Sequence, residues 1–209
     1  MKNYIIGLHG LPRVGKTTMM DFLIEREGYA GINFSDKLYA EVAEAFNVTV
    51  EQLKTHVWKT EPQADLAIMR CSKSEFCVLM AKAEHNPREP RTTRWILQQW
   101  GTEYRRAQDP DYWLPPVEEF IAAHPDRPIV IGDVRFDNEA KVGLMSVLRD
   151  ERDGNFVIEV TNKRAPESNG HDSDIRISDY LITHIVANDG TRDEFYQAVK
   201  KILESPWSC

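Results

Sequence analysis

The sequence has few cysteines and no long hydrophobic run. Its three cysteines form no CxxC pair and show no metal-ligand spacing, which predicts reduced thiols rather than disulfides or a zinc site. No apolar stretch approaches the roughly 20 residues that a membrane helix needs. The first residues lead directly into a strand-like run, which predicts that there is no signal peptide. We therefore expect a cytoplasmic protein that does not act at a membrane.

Positive charge is also scarce. The 209 residues contain 26 Lys and Arg against 33 Asp and Glu, which gives a formal net charge of −7. This balance argues against a nucleic-acid partner, because duplex binding depends on basic patches that neutralise phosphates. A small phosphate ligand needs only a few converging arginines and is not excluded. The sequence leaves the oligomeric state open, a homodimer included.

Strand-like and helix-like segments alternate along the chain and predict an α/β fold. Strands are expected at 4–8, 30–34, 129–131, 156–160 and 181–187, and this alternation favours a parallel sheet flanked by helices. Residues 36–124 contain no convincing strand and are predicted to be a helical insertion, with helices at 65–83 and 93–106. Capping boxes are expected at Thr49 with Gln52 and at Thr191 with Glu194. The chain is thus predicted to be a single domain with a core at about 1–35 and 125–209.

A complete G-x-x-x-x-G-K-[ST] motif follows the first predicted strand at residues 10–17. Gly10 and Gly15 allow backbone amides to face an anion at a helix N-terminus. In such a P-loop, Lys16 reaches the β- and γ-phosphates of ATP and the Thr17 hydroxyl ligates Mg²⁺. The predicted ATP-binding residues of this segment are Gly10, Arg13, Val14, Gly15, Lys16, Thr17 and Thr18.

The P-loop fixes the phosphate donor but leaves the reaction open. A GTPase is disfavoured because the sequence has no N-K-x-D or D-x-x-G motif, and a motor would need a longer chain. The strand at 129–131 leads into Asp133 and Arg135. Asp133 is predicted to act on Mg²⁺ or as a base, and Arg135 to neutralise the transferring phosphate.

Arginines cluster where a phosphorylated acceptor would need them. Arg94 and Gln98 are four residues apart on a predicted helix and would share one face. Arg164 lies in the polar segment 161–174, which has the composition either of a lid or of an ordinary surface loop. His171 in this segment is predicted to be structural rather than catalytic.

Four segments together resemble the phage-type deoxynucleoside monophosphate kinases, a P-loop family. They are the P-loop, L-Q-x-x-G-T-E at 97–103, D-V-R-F-x-N-E-A at 133–140, and H-D-S-D with N-D-G-T at 171–174 and 188–191. The resemblance implies transfer of the ATP γ-phosphate to a deoxynucleoside monophosphate with Mg²⁺, in the host cytoplasm if the source is a virus. It makes 36–124 the monophosphate-binding region and 161–174 the lid. It also suggests that the segment 188–191 lies near the adenine of ATP, with Asn188 and Gly190 as ATP-binding residues.

The predicted site residues fall into three groups beyond the ATP-binding loop. The catalytic candidates are Lys16, Asp133, Arg135 and Arg164, and the metal candidates are Thr17 and Asp133. The acceptor-binding candidates are Asp36, Arg70, Arg94, Gln98, Glu103, Arg106 and Trp113. Two other functions stay open: another small-molecule P-loop kinase, such as a dephospho-coenzyme A kinase, and a regulatory protein that binds ATP without transferring phosphate.

Overall fold

Five short strands form one parallel sheet. The computed structural model describes residues 4–144, 155–165 and 176–204, and within them the strand order is β2-β3-β1-β4-β5. The strands are β1 (Ile5–His9), β2 (Ala30–Ile32), β3 (Ile129–Ile131), β4 (Phe156–Thr161) and β5 (His184–Ala187). Every residue of β1 is buried, as expected of a parallel strand covered on both faces. The predicted α/β fold with a parallel sheet is confirmed.

The strand order reverses its direction at β1. The chain forms β2 and β3 on one side of β1 and then crosses to build β4 and β5 on the other side. Ile6 of β1 accordingly pairs with Val130 of β3 and with Phe156 of β4. In open parallel sheets, ligands bind beyond the carboxyl ends of the strands where the strand order reverses in this way.

Helices cover both faces of the sheet. They are α1 (Lys16–Glu27), α7 (Leu114–Ala123), α8 (Asp137–Leu144) and α9 (Arg192–Glu204). On one face, Leu8 packs in a buried cluster with Leu23 of α1 and Val199 of α9. On the other face, α8 approaches closely through Gly143, where a methyl group would touch Ile5 at 3.7 Å.

The chain divides into two compact units, Met1–Phe34 with Leu114–Cys209 and Ser35–Trp113. The second unit is helical where it has regular structure and includes one isolated antiparallel bridge, between Gln63 and Arg91. Its elements are α2 (Ser35–Phe46), α3 (Val50–Lys54), α4 (His56–Thr60), α5 (Ser74–Lys82), α6 (Thr93–Gln98) and a π-helix (Gln99–Arg106). Phe46, Phe76, Trp100 and Tyr104 form its buried aromatic core.

Two predicted helices differ from the structure. Residues 65–83 were predicted to be continuously helical, but this stretch begins with two 3₁₀ turns, Ala64–Leu66 and Ile68–Arg70, before α5 starts at Ser74. The backbone N–H groups of Met69 and Ser72 donate to the distant carbonyls of Pro87 and Ala45, which removes them from a local helix. The helix predicted at 93–106 changes from α to π at Gln99.

Both predicted capping boxes are present. The Thr49 hydroxyl accepts from the Gln52 N–H, and the Gln52 side chain accepts from the Thr49 N–H. Thr191 and Glu194 make the same reciprocal pair before α9. These contacts satisfy N–H groups that have no partner within the helix. They therefore explain why the two helices begin where they do.

Candidate functional site

The loop between β1 and α1 depends on two glycines. Gly10 has a φ of 134°, and a methyl group there would lie 2.3 Å from the Val160 carbonyl oxygen. Gly15 has a φ of 115°, and a methyl group there would lie 2.3 Å from the side-chain nitrogen of Asn188. Both positions thus need a residue without a side chain, for conformation and for space.

Lys16 is the first residue of α1, and its side chain returns to the loop. Its ammonium group donates to the carbonyl oxygens of Gly10 at 2.5 Å and Leu11 at 2.8 Å. The first turn of α1 contains no acidic residue, and Gly15 offers no side chain to cap it. The positive end of the helix dipole and the Lys16 charge therefore act in the same place, which is the arrangement that attracts an anion.

The other predicted residues of this loop have different exposures. Arg13 and Thr17 are exposed, Thr18 is half-buried, and Val14 is 2% exposed. The structure thus uses Val14 for packing in the core, while its carbonyl oxygen accepts a hydrogen bond from Asn188.

The segment after β3 is held in place by hydrogen bonds to its neighbours. Asp133 is half-buried and accepts the Phe34 N–H at 2.7 Å, while Arg135 is exposed. The carboxylate of Glu139 is buried and accepts the N–H groups of Arg135 at 2.7 Å and Phe136 at 3.2 Å. Sequence reasoning gave Glu139 no role, although its position in the first turn of α8 is the one from which a glutamate commonly caps a helix.

The loops after β4 and β5 are joined to each other beside the glycine loop Gly10–Thr17. Asn162 donates its side-chain amide to the Asn188 carbonyl at 2.5 Å, and Asp189 accepts the Lys163 N–H at 2.8 Å. Arg164 and Gly190 are exposed. The structure thus brings Asn188 to the loop Gly10–Thr17. His171 and most of the segment predicted to be a lid lie outside the described residues.

The residues predicted from the sequence do not include a buried polar group next to the loop. His9 is 6% exposed, and its Nδ1 lies 3.0 Å from the Val134 carbonyl oxygen, so this nitrogen carries the proton. Burial lowers the pKa of His9 below its ordinary value of 6.5, against the opposing effect of the Val134 contact. Glu159 lies opposite His9 in the sheet and binds Arg176 through two contacts of 2.7 and 2.8 Å.

The predicted acceptor residues lie in the unit Ser35–Trp113. Arg94 is exposed on α6, and Gln98 ends the same helix, so their spacing of four residues sets them on one side of it. Glu103 is exposed in the π-helix, and the Arg106 side chain donates to the Pro110 carbonyl at 2.8 Å. Short π-helical segments within helices are often found at functional sites.

The three remaining acceptor candidates differ in exposure: two lie at the surface and one is buried. Asp36 lies 3.5 Å from Lys54 in an exposed ion pair, and Arg70 is exposed at the end of a 3₁₀ turn. Trp113 is 4% exposed and donates its indole N–H to the Gly101 carbonyl at 3.2 Å. The indole N–H of Trp113 is thus already paired with the backbone of the π-helix.

Glu41 of α2 accepts hydrogen bonds from three other side chains of this unit. Its carboxylate accepts from Tyr112 at 2.6 Å, Arg105 at 2.9 Å and Trp100 at 3.0 Å. Burial alone would raise the pKa of Glu41, but the three hydrogen bonds and the Arg105 charge hold it below its ordinary value. Burial, and after it the hydrogen bond to Glu41, raise the pKa of Tyr112 to about 12. Glu41 therefore fixes the π-helix from both of its ends.

Two classes of feature are missing from the described part of the chain. Across residues 4–144, 155–165 and 176–204, no helix has the length and apolar character to span a membrane. Within the same ranges, no three His, Cys, Asp or Glu side chains come together as a ready-made metal site.

Similarity to a known protein extends along nearly the whole chain. No protein-family model matches this chain. A curated protein of Acanthamoeba polyphaga mimivirus, provisionally named a deoxynucleotide monophosphate kinase, is 26% identical to it over 218 residues. The similarity covers 96% of each chain, so it extends across both units rather than being limited to the loop motif.

Proposed function

We propose that this protein is a nucleotide kinase that transfers the γ-phosphate of ATP to a deoxynucleoside monophosphate. The observation that carries the proposal is the Lys16 ammonium group, held within the glycine loop at the N-terminus of α1. The full-length relative provisionally named a deoxynucleotide monophosphate kinase supports a kinase of nucleotides. The four motifs that resemble the phage-type enzymes support the finer choice of acceptor.

On the donor side, the loop Gly10–Thr17 would act as a P-loop. Its backbone N–H groups and the helix dipole would bind the β- and γ-phosphates, and Lys16 would exchange its carbonyl contacts for phosphate oxygens. Asn188, whose side chain donates to Val14, and Gly190 would stand at the edge of this site.

The chemical step would be an in-line displacement. A phosphate oxygen of the acceptor attacks the γ-phosphorus, the bond from that phosphorus to the bridging oxygen breaks, and ADP leaves with the electron pair. Little covalent help is needed, so cations near the moving charge supply most of the catalysis. Lys16, Arg135 and Arg164 are our candidates for these cations. Asp133 would orient the acceptor or the metal.

Mg²⁺ is the cofactor we propose, with Thr17 and Asp133 as its protein oxygen ligands. Mg²⁺ in such sites uses one or two protein oxygens together with phosphates and water, which suits a hydroxyl and a carboxylate. When bound, it neutralises charge on the triphosphate.

On the acceptor side, we propose that the unit Ser35–Trp113 binds the monophosphate. Arg94 would bind the phosphate, and Gln98 on the same side of α6 would meet the base edge. Arg106, Glu103, Arg70 and Asp36 are further candidates. Trp113 is buried and would support the site by packing rather than by stacking on a base.

The test is ADP release with ATP and Mg²⁺ across dAMP, dCMP, dGMP, dTMP and dephospho-coenzyme A. We expect turnover with at least one deoxynucleotide and its loss in Lys16→Ala. The control is Lys201→Ala, an exposed lysine on α9 whose replacement should leave turnover unchanged. Turnover of the coenzyme precursor alone would replace the proposed acceptor. Absence of any monophosphate-dependent release above the Lys16→Ala level would leave an ATP-binding protein without transfer activity.

A further inference from the structure

Asn188 contacts the backbone of the phosphate-loop motif from a distant part of the chain. It follows β5, and its side-chain amide donates to the Val14 carbonyl oxygen at 2.9 Å. Val14 precedes Gly15, which caps α1. The hydrogen bond therefore holds the peptide that joins the loop to the helix.

Asn188 is itself held by the end of β4. Its backbone N–H donates to the Thr161 carbonyl at 2.8 Å, and its carbonyl accepts the Asn162 side-chain amide at 2.5 Å. The next residue, Asp189, accepts the Lys163 N–H at 2.8 Å. These contacts fix the position of Asn188 relative to the sheet, so that its side chain can act as a rigid support.

The contact leaves no spare room at Gly15. A methyl group on Gly15 would lie 2.3 Å from the Asn188 side-chain nitrogen and 3.3 Å from its side-chain carbon. The amide thus packs directly against the residue whose left-handed conformation starts α1. A loop that presents N–H groups to an anion must direct carbonyl groups elsewhere, and each of those carbonyls needs a donor. Asn188 supplies the donor for Val14.

We propose that Asn188 is a positioning residue that orients the Val14–Gly15 peptide for binding the phosphates of ATP, rather than a contact to adenine. This inference rests on the proposed function, because it assumes that the loop binds the triphosphate. It differs from the expectation based on family resemblance, which sets Asn188 beside the adenine. The two views predict different results for a ligand that has phosphates but no base.

The experiment compares ATP with inorganic tripolyphosphate, both with Mg²⁺, by calorimetric titration of the wild type, Asn188→Ala and Asn188→Leu. Both variants are expected to bind both ligands more weakly by a similar factor, on the order of fivefold to tenfold for the loss of one neutral hydrogen bond. Asn188→Leu keeps roughly the size of the side chain and removes its N–H donor without adding a charge near the phosphates. It therefore tests the hydrogen bond even if Asn188→Ala folds poorly. Titration well below each variant's melting temperature separates this effect from a loss of stability.

Three outcomes would overturn the inference. If the variants lose affinity for ATP but bind tripolyphosphate as the wild type does, Asn188 reads the base. If the wild type binds both ligands and neither variant differs from it, the Val14 contact has no role in binding. If the wild type binds neither ligand, the proposed function fails together with the inference.

Discussion

The carboxylate of Asp133 accepts the backbone N–H of Phe34 across 2.7 Å, although 99 positions separate the two residues. Phe34 follows β2 and Asp133 follows β3, and these neighbouring strands end at the same edge of the sheet. One carboxylate oxygen thus has a structural partner. The contribution of Asp133 to folding can therefore be separated from the contribution of its charge.

Replacing Asp133 with Asn or with Ala separates these two contributions. Asn keeps an oxygen acceptor for Phe34, so we expect the free energy of unfolding in urea to stay close to that of the wild type. The kcat should fall by about 100-fold, because the charge is lost. Ala also removes the acceptor and leaves the Phe34 N–H without it, which should cost a further 1–3 kcal/mol or so of stability. Wild-type kcat in Asp133→Asn would show that the charge has no part in the reaction.

Gly10 and Gly28 offer a matched pair for testing the loop. Both have positive φ, but a methyl group at Gly10 meets the Val160 carbonyl at 2.3 Å. At Gly28, no atom of the described residues other than its own neighbours in the chain lies within 4 Å of such a group. Gly28→Ala should lower the free energy of unfolding by about 1 kcal/mol through backbone strain alone. Gly10→Ala should cost at least about 2 kcal/mol more, since the loop or β4 must shift. Equal losses in chemical denaturation would contradict the close approach to Val160.

Features that depend on near neighbours could be predicted from the sequence. The capping boxes at Thr49 and Thr191 each involve residues three positions apart, and both are present. The strand at 129–131 is marked by its own β-branched residues. The helix predicted from residue 65 failed because the Ser72 N–H bonds to Ala45, which no local pattern reveals.

Contacts between distant residues could not be predicted in this way. Glu41 receives hydrogen bonds from Arg105 and Tyr112, which are 64 and 71 positions away. Asn188 reaches Val14 across 174 positions. In both cases nothing in the neighbouring sequence indicates which distant residue is the partner, so only the folded chain reveals it. The position of the glycine loop between a strand and a helix was predictable, whereas the residue that supports it was not.

His9 should make stability depend on pH. Burial holds its pKa below 6.5 in the folded protein, so the unfolded chain binds a proton more readily. The stability associated with neutral His9 is therefore fully present above pH 6.5 and is lost as the pH falls from there through the folded-state pKa.

The measurement is the melting temperature of the wild type and of His9→Asn between about pH 8 and pH 5. Asn can still donate a hydrogen bond toward Val134 but does not titrate. We expect the wild type to lose stability relative to the variant as the pH falls below 6.5. A difference that stays constant over this range would show that His9 keeps its ordinary pKa in the folded protein.

Arg94 and Arg135 should affect different kinetic constants. Both side chains are exposed, so replacement by Ala should leave the fold intact and make the kinetics interpretable. Arg94→Ala is expected to raise the KM for the monophosphate roughly 10-fold or more, because a charged hydrogen bond to the acceptor is lost in both ground and transition states. Arg135→Ala is expected to lower kcat by roughly 1,000-fold, since a cation that stabilises the transferring phosphate acts mainly in the transition state.

The control is Arg88→Ala, measured by the same steady-state kinetics. Arg88 is an exposed arginine of the same unit as Arg94, so this variant shows the effect of losing a surface charge alone. The opposite pattern of effects would mean that the two arginines exchange roles, with Arg135 binding the acceptor and Arg94 acting on the moving phosphate.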